Sequence, residues 1–141
     1  MKNTTARRLS RVHKALYLLS HGRIGARLVN NDMLLLTTLG RRTGRSHTVP
    51  LLYLEKGDAL VIIASWGGRD HHPHWYLNLV VEPKAEVRVR GDVWHVEART
   101  AQGTERAAWW QRAVDAHRGY AEYQGRTGRE IPIVILEREQ G

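Results

Sequence analysis

Apolar residues in this chain come in short runs separated by glycine-, proline- and arginine-rich punctuation. Residues 33–39 and 48–55 read as strands flanking the loop Gly40-Arg41-Arg42-Thr43-Gly44-Arg45. Residues 58–65 are almost wholly apolar, which predicts a strand buried on both faces. Lys56-Gly57-Asp58 before it is a hairpin signal. Residues 73–81 fit a short helix, with Pro73 as a first-turn proline and Pro83 as its stop. Residues 85–90 alternate, Val87 and Val89 against Glu86, Arg88 and Arg90. A turn at Gly91-Asp92 leads into residues 93–100, which place Val96 and Ala98 on opposite sides and complete a hairpin. Residues 104–118 predict a helix with Trp110, Val114 and His117 on one stripe, and Gly119 at its C′ position. Residues 131–137 are the last strand. Upstream, Leu9, Val12, Leu16 and Leu19 recur at helical spacing over residues 5–20.

The pattern amounts to about six strands and three helices. Strands arrive as hairpins rather than as βαβ units. The expected class is therefore mainly β with α (α+β): an antiparallel, closed or nearly closed barrel with helices outside.

Composition narrows the setting. A chain of 141 residues holds one real core and is too short for two. Apolar residues at 42% and charged residues at 26% argue against disorder. There is no cysteine, which removes disulfides and thiolate metal sites. No apolar run approaches the ~20 residues that span a bilayer, and no signal-peptide core is evident, so a cytoplasmic location is expected. The net charge of +8 is uneven: residues 1–31 carry seven cations and no acid. That division predicts a basic N-terminal helical arm, residues 1–31, and a cofactor-binding barrel domain, residues 32–141. The arm either packs on the domain or rests on an anionic membrane surface, which would make the protein peripheral at the inner face of the membrane.

Several stretches carry candidate chemistry. The arginine loop suits a phosphate or carboxylate, with a solvated basic turn as the plain alternative. It lacks the lysine-serine ending of a nucleotide P-loop. His71, His72 and His74 are broken by Pro73, and no carboxylate completes a metal set, so no metal is expected. Ser65-Trp66-Gly67-Gly68 closes a strand with room for close backbone approach. His74-Trp75-Tyr76-Leu77-Asn78 opens a helix, where backbone N–H groups are available, although Trp75 also suits a core. Tyr120 and Tyr123 are either packed aromatics or phenols over a planar ligand.

LLLTTLGRRTGRSHTVPL, ASWGG, HPHWYLNLVVEP and YAEYQGRTGREIPIVILE together resemble the deazaflavin-dependent nitroreductase family, reductases that use the cofactor F420. The likeness runs from about Leu34 to Glu137. It implies a split β-barrel related to flavin-mononucleotide-binding oxidases. By position it implies that Arg41, Arg42, Thr43 and Arg45 meet the phosphate and acidic tail of the cofactor, with His47, Thr48 and Val49 beside the same phosphate. Ile63, Ala64, Ser65 and Trp66 would run along the deazaflavin. His74, Trp75, Tyr76, Leu77 and Asn78 would meet the cofactor through the helix start. Tyr120 and Tyr123 would line the pocket over the ring. His47 replaces a usual arginine, Leu77 a frequent histidine, and His117 stands where some members have tyrosine.

The implied activity is hydride transfer from reduced F420 to an electrophilic small molecule, a quinone or nitro compound. Ser65, Tyr120 and Tyr123 are the catalytic candidates, Ser65 as a hydrogen-bond donor and the tyrosines as proton donors or pocket walls. The alternatives are a non-catalytic binder of an anionic ligand, lipid or nucleic acid, or a split barrel holding flavin mononucleotide. Aromatic and basic residues do not interleave as a nucleic-acid groove requires, so no nucleic-acid partner is expected.

Overall fold

A single residue, Tyr53, separates the two edge strands of one sheet. The computed structural model describes residues 33–139. Among them, seven strands form an antiparallel sheet: β1 (Met33–Leu39), β2 (Ser46–Leu52), β3 (Leu54–Lys56), β4 (Ala59–Ile63), β5 (Lys84–Val89), β6 (Asp92–Thr100) and β7 (Ile133–Arg138). Their spatial order is β2-β1-β5-β6-β7-β4-β3. β2 and β3 lie at opposite edges yet are consecutive in the chain, so the sheet must curl until its edges nearly meet. The result is a split β-barrel. Three helices flank it: α1 (His74–Val81), α2 (Gly103–Ala116) and α3 (Gly119–Arg126).

Side chains alternating along the strands fill two cores. Leu34, Leu36, Leu60, Ile62, Val87 and Val96 point into the barrel, which Trp75 and Leu79 of α1 plug. Val61, Ile63, Ile133 and Ile135 face the other way, against Trp109 and Ala113 of α2 and Tyr120 of α3. β4 thus has both faces buried, as its continuous apolar run predicts. Each such side chain stabilises the fold by about 1.5–3 kcal/mol.

Several expectations need correction. The stretch 48–55 is two strands, because the chain crosses between sheet edges at Tyr53, so there are seven strands rather than six. The second hairpin turns at Arg90-Gly91, with φ of 50° and 86°, and Asp92 already pairs with Val89. Val96 and Ala98 share the core-facing side of β6, as residues two apart on a strand must. α2 buries Trp109 and Ala113, one residue offset from the expected stripe, and Trp110 and Val114 flank them half-buried. Gly119 opens α3 instead of capping α2. Pro73 stands at the N-cap of α1, one place before the first turn. The amphipathic pattern over residues 5–20, and the arm 1–31 as a whole, lie outside the described residues.

Candidate functional site

The β1–β2 connection is a six-residue loop, because Leu39 pairs with Ser46. Gly44 takes φ +70°, and two backbone bonds close the loop: Gly40 N–H to the Arg45 carbonyl at 2.7 Å and Gly44 N–H to the Gly40 carbonyl at 2.9 Å. A Cβ at Gly40 would lie 2.8 Å from His47 Nε2 and 2.9 Å from Thr43 Oγ1, so any larger residue there must push these side chains aside. Arg42 and Arg45 are exposed, and Arg41 is half-buried. Thr43 Oγ1 accepts the Arg45 N–H at 3.2 Å. His47 and Thr48 lead β2, and the Thr48 hydroxyl lies 2.8 Å from that of Thr37. Val49 packs partly against the barrel core.

Asn78 ties this loop to α1. Its Oδ1 accepts from Arg41 N–H at 3.2 Å and Arg41 Nη1 at 2.9 Å, and its Nδ2 donates to Thr38 Oγ1 at 3.1 Å. The residue is 3% exposed. A buried amide inside a helix is here a hub that satisfies three polar partners. Arg41 Nη2 also lies 3.5 Å from His74 Nδ1 at the start of α1. The Pro73 carbonyl already accepts the N–H groups of Tyr76 and Leu77. Trp75 points into the barrel core, and the Tyr76 hydroxyl lies 3.0 Å from Thr100 Oγ1 on β6.

β4 runs into a tight 3₁₀ turn, Trp66–Gly68, whose three residues have φ of 45°, 64° and 78°. For Trp66 that conformation costs about 1–3 kcal/mol. Its ring meets His74 edge-on at 5.8 Å, and the Arg69 guanidinium sits 4.6 Å from the indole centroid. A Cβ on Gly68 would lie 2.6 Å from the Tyr123 carbonyl oxygen, so this glycine lets α3 dock on the turn. Ser65 is nearly buried, and Ala64 is wholly so.

Beyond the turn, His117, Tyr120 and Tyr123 form an aromatic cluster, with Tyr120 4.9 Å from His117 and 6.2 Å from Tyr123. A cleft of about 190 Å³ opens here, lined by Ile63, His117 and Tyr120 together with Tyr53 and its neighbours at the strand crossing. Burial, with a smaller contribution from Tyr123, pushes the Tyr120 phenol up to about 12. It therefore stays protonated at neutral pH, able to donate a hydrogen bond.

Contacts thus link Arg41 to His74 and His74 to Trp66, while Gly68 brings the turn against the Tyr123 backbone, beside Tyr120. Ala64, Trp75, Val49 and Asn78 stand behind these residues as scaffold. Two residues escape sequence reasoning. Arg129 bridges the 64–69 turn, with Nη2 donating to the Ser65 carbonyl at 2.7 Å, and His72 meets Arg129 at 3.0 Å. No local signal separates Arg129 from Arg126, because its partners lie some sixty positions upstream.

A family model described as F420H2-dependent quinone reductase matches residues 9–138. An F420H2-dependent quinone reductase of Mycobacterium tuberculosis is 40% identical over 135 residues, covering 92% of this chain and 90% of that protein. A solved structure described as an F420-H2 dependent reductase has a TM-score of 0.69 at 39% identity, covering 75% of this chain and 94% of its own. Another, described as a domain-swapped dimer, has a TM-score of 0.73 at 33% identity, covering 97% and 100% of the two chains.

Proposed function

The chain belongs to the F420H2-dependent quinone reductase family, and we propose that its arginine loop and aromatic cleft are the two ends of one cofactor site. The protein is an F420H2-dependent oxidoreductase, with a quinone as its substrate class. Bound F420H2 supplies a hydride from its ring carbon to that substrate. What remains is the work of this chain's own residues.

Exposed Arg42 and Arg45, with half-buried Arg41, offer charge-assisted donors for a phosphate and a carboxylate-bearing tail. Thr43 and His47 line the same loop. The donor set fits a polyanion, and the bonds from Asn78 support the reading because they orient Arg41 before any ligand arrives. Thr48 continues the wall along β2, with Val49 behind it against the barrel core. Ser65 and Trp66, with Ile63 beside them, border the planar ring, and His74, Tyr76 and Leu77 close the side between ring and tail, with Ala64, Trp75 and Asn78 behind them as scaffold. Tyr120 and Tyr123 face the substrate.

A quinone that accepts a hydride gains a negative oxygen and needs a proton. Tyr120 stays protonated and stabilises that oxygen by donating a hydrogen bond. Tyr123 is half-exposed and connects the oxygen to solvent, from which the proton comes. Ser65 serves as a further donor beside the ring.

The single observation that carries the reading is the Arg41–Asn78–Thr38 network, which joins a cationic loop to the helix start beside Trp66. Fluorescence titration should find F420 bound at least about tenfold more tightly than flavin mononucleotide, about 1.4 kcal/mol. Equal or reversed affinities would overturn it.

The basic arm suggests where the substrate is met. Its seven cations without an acid favour an anionic, cytoplasmic membrane surface by about 1 kcal/mol each, where lipid-soluble quinones dissolve. Among the described residues no helix is long and apolar enough to cross a membrane. Co-sedimentation with anionic vesicles that fades with salt is the expected result, and indifference to lipid charge would reject the surface.

A further inference from the structure

We propose that Arg129 is the positioning residue of this site, clamping the Ser65–Arg69 turn in its ring-bordering shape, with His72 as the acid-sensitive member of the clamp. The proposal rests on the reading that the end of β4 borders the cofactor ring.

The turn places three successive residues at positive φ, and one of them is tryptophan. Its own closing bonds are few: Gly68 N–H to the Ser65 carbonyl at 2.9 Å and a longer Arg69 N–H to the Trp66 carbonyl at 3.3 Å. A side chain from far along the chain does the rest. Arg129 Nε donates to the Arg69 carbonyl at 2.7 Å, Nη1 to the Ala64 carbonyl at 3.1 Å and Nη2 to the Ser65 carbonyl at 2.7 Å. The planar fork thereby spans both ends of the turn, which the single ammonium of lysine cannot do. The clamp is itself anchored. Gln124 Nε2 donates to the Arg129 carbonyl at 2.7 Å, and Thr127 Oγ1 donates to Asp70 Oδ1 at 3.0 Å as a second latch between the same two segments.

Arg129 Nη1 lies 3.0 Å from His72 Nδ1. Arginine can only donate, so His72 must accept, with its proton on Nε2. Burial first, and the neighbouring Arg129 cation second, lower the His72 pKa below the usual histidine value. Protonating His72 would remove the acceptor and set two cations together. The other charged or titratable groups nearby are Asp70, which favours the Arg129 cation; Arg69, over Trp66; Glu130, which Arg106 engages at 2.6 Å; and Tyr76 of α1, whose ring lies 5.0 Å from His72. Of these two acids, Glu130 is engaged by Arg106, and Asp70 favours the Arg129 cation.

Two measurements on the full chain test the clamp. The first is amide hydrogen exchange of the ligand-free protein. In Arg129→Ala, exchange across residues 65–69 should rise at least about tenfold while residues 59–63 stay protected, and Arg129→Lys should not restore protection. The second is F420 titration by fluorescence, which should show about tenfold weaker binding in Arg129→Ala, partly rescued by added guanidinium ion. Unchanged exchange at 65–69, or faster exchange throughout the sheet, would overturn the clamp by making Arg129 irrelevant or merely structural. A wild-type protein that ignores F420 would sink the site reading, while the exchange result would still judge the clamp.

If Arg129→Ala does not fold, His72 carries the test. Corrected for intrinsic rates, wild-type exchange at 65–69 should accelerate as pH falls below the ordinary histidine range. His72→Asn keeps an acceptor that does not titrate, and should abolish that acceleration. An identical acid response in both proteins would remove His72 from the clamp.

Discussion

Asn78 Oδ1 accepts twice from Arg41, once from its backbone N–H at 3.2 Å and once from its guanidinium at 2.9 Å, while the same amide donates to buried Thr38. The 40–45 loop is thereby tied to a helix 37 residues away. Asn78→Ala leaves buried polar groups unsatisfied and should cost about 1–3 kcal/mol of stability. Denaturant unfolding will measure that cost, and F420 titration should find weaker binding at a temperature where the variant is folded. A stability loss with undiminished affinity would show that the loop needs no prior ordering.

Arg41 and Arg42 are neighbours with different duties. Arg42 is exposed, whereas Arg41 is half-buried against Asn78. Arg42→Ala should leave the unfolding midpoint in place and weaken F420 binding by about tenfold, roughly 1.4 kcal/mol. Its binding should also depend less on salt, since one screened charge contact is gone. Arg41→Ala should lower both affinity and stability. Parallel titrations at two ionic strengths separate the cases, and an Arg42→Ala protein with wild-type affinity would leave that side chain a solvated cation.

Gly67 and Gly68 differ by a clash. Both have positive φ, but a Cβ at Gly67 meets nothing within 4 Å, whereas one at Gly68 meets the Tyr123 backbone at 2.6–2.8 Å. Gly67→Ala should cost about 1–2 kcal/mol from the left-handed conformation alone. Gly68→Ala should cost on the order of 2–4 kcal/mol, because α3 must also retreat. Equal costs in denaturant unfolding would mean that α3 is not pressed on the turn.

Tyr120 titrates late, at about 12, because burial disfavours its phenolate. The unfolded chain releases this proton near pH 10, as tyrosine ordinarily does. Between those values the folded state holds the extra proton, so stability falls as pH rises through the window. The loss attributable to Tyr120 is on the order of 2 kcal/mol. Tyr120→Phe should flatten that part of the pH–stability curve and lower the turnover of quinone. Ultraviolet titration of the five tyrosines should show a late-ionising phenol that the variant lacks. A wild-type curve without it would place the hydroxyl in water.

The sequence by itself determined most of the strand segments, that β4 is buried on both faces, and that three arginines share the 40–45 loop. These are properties of runs of neighbouring residues, where a period of two or a glycine's freedom shows directly. It did not determine α3, whose two glycines and low apolar content give little local reason to coil. That helix forms because Tyr120 is buried under it and Gly68 admits its backbone. Nor did it determine the duties of Asn78 and Arg129. Each looks like an ordinary polar residue in its own segment, and each satisfies atoms on a segment far away in the chain. Only the curling of the sheet brings those segments within hydrogen-bond reach. The partners of a buried amide or a half-buried guanidinium are set by tertiary approach, which no local pattern encodes.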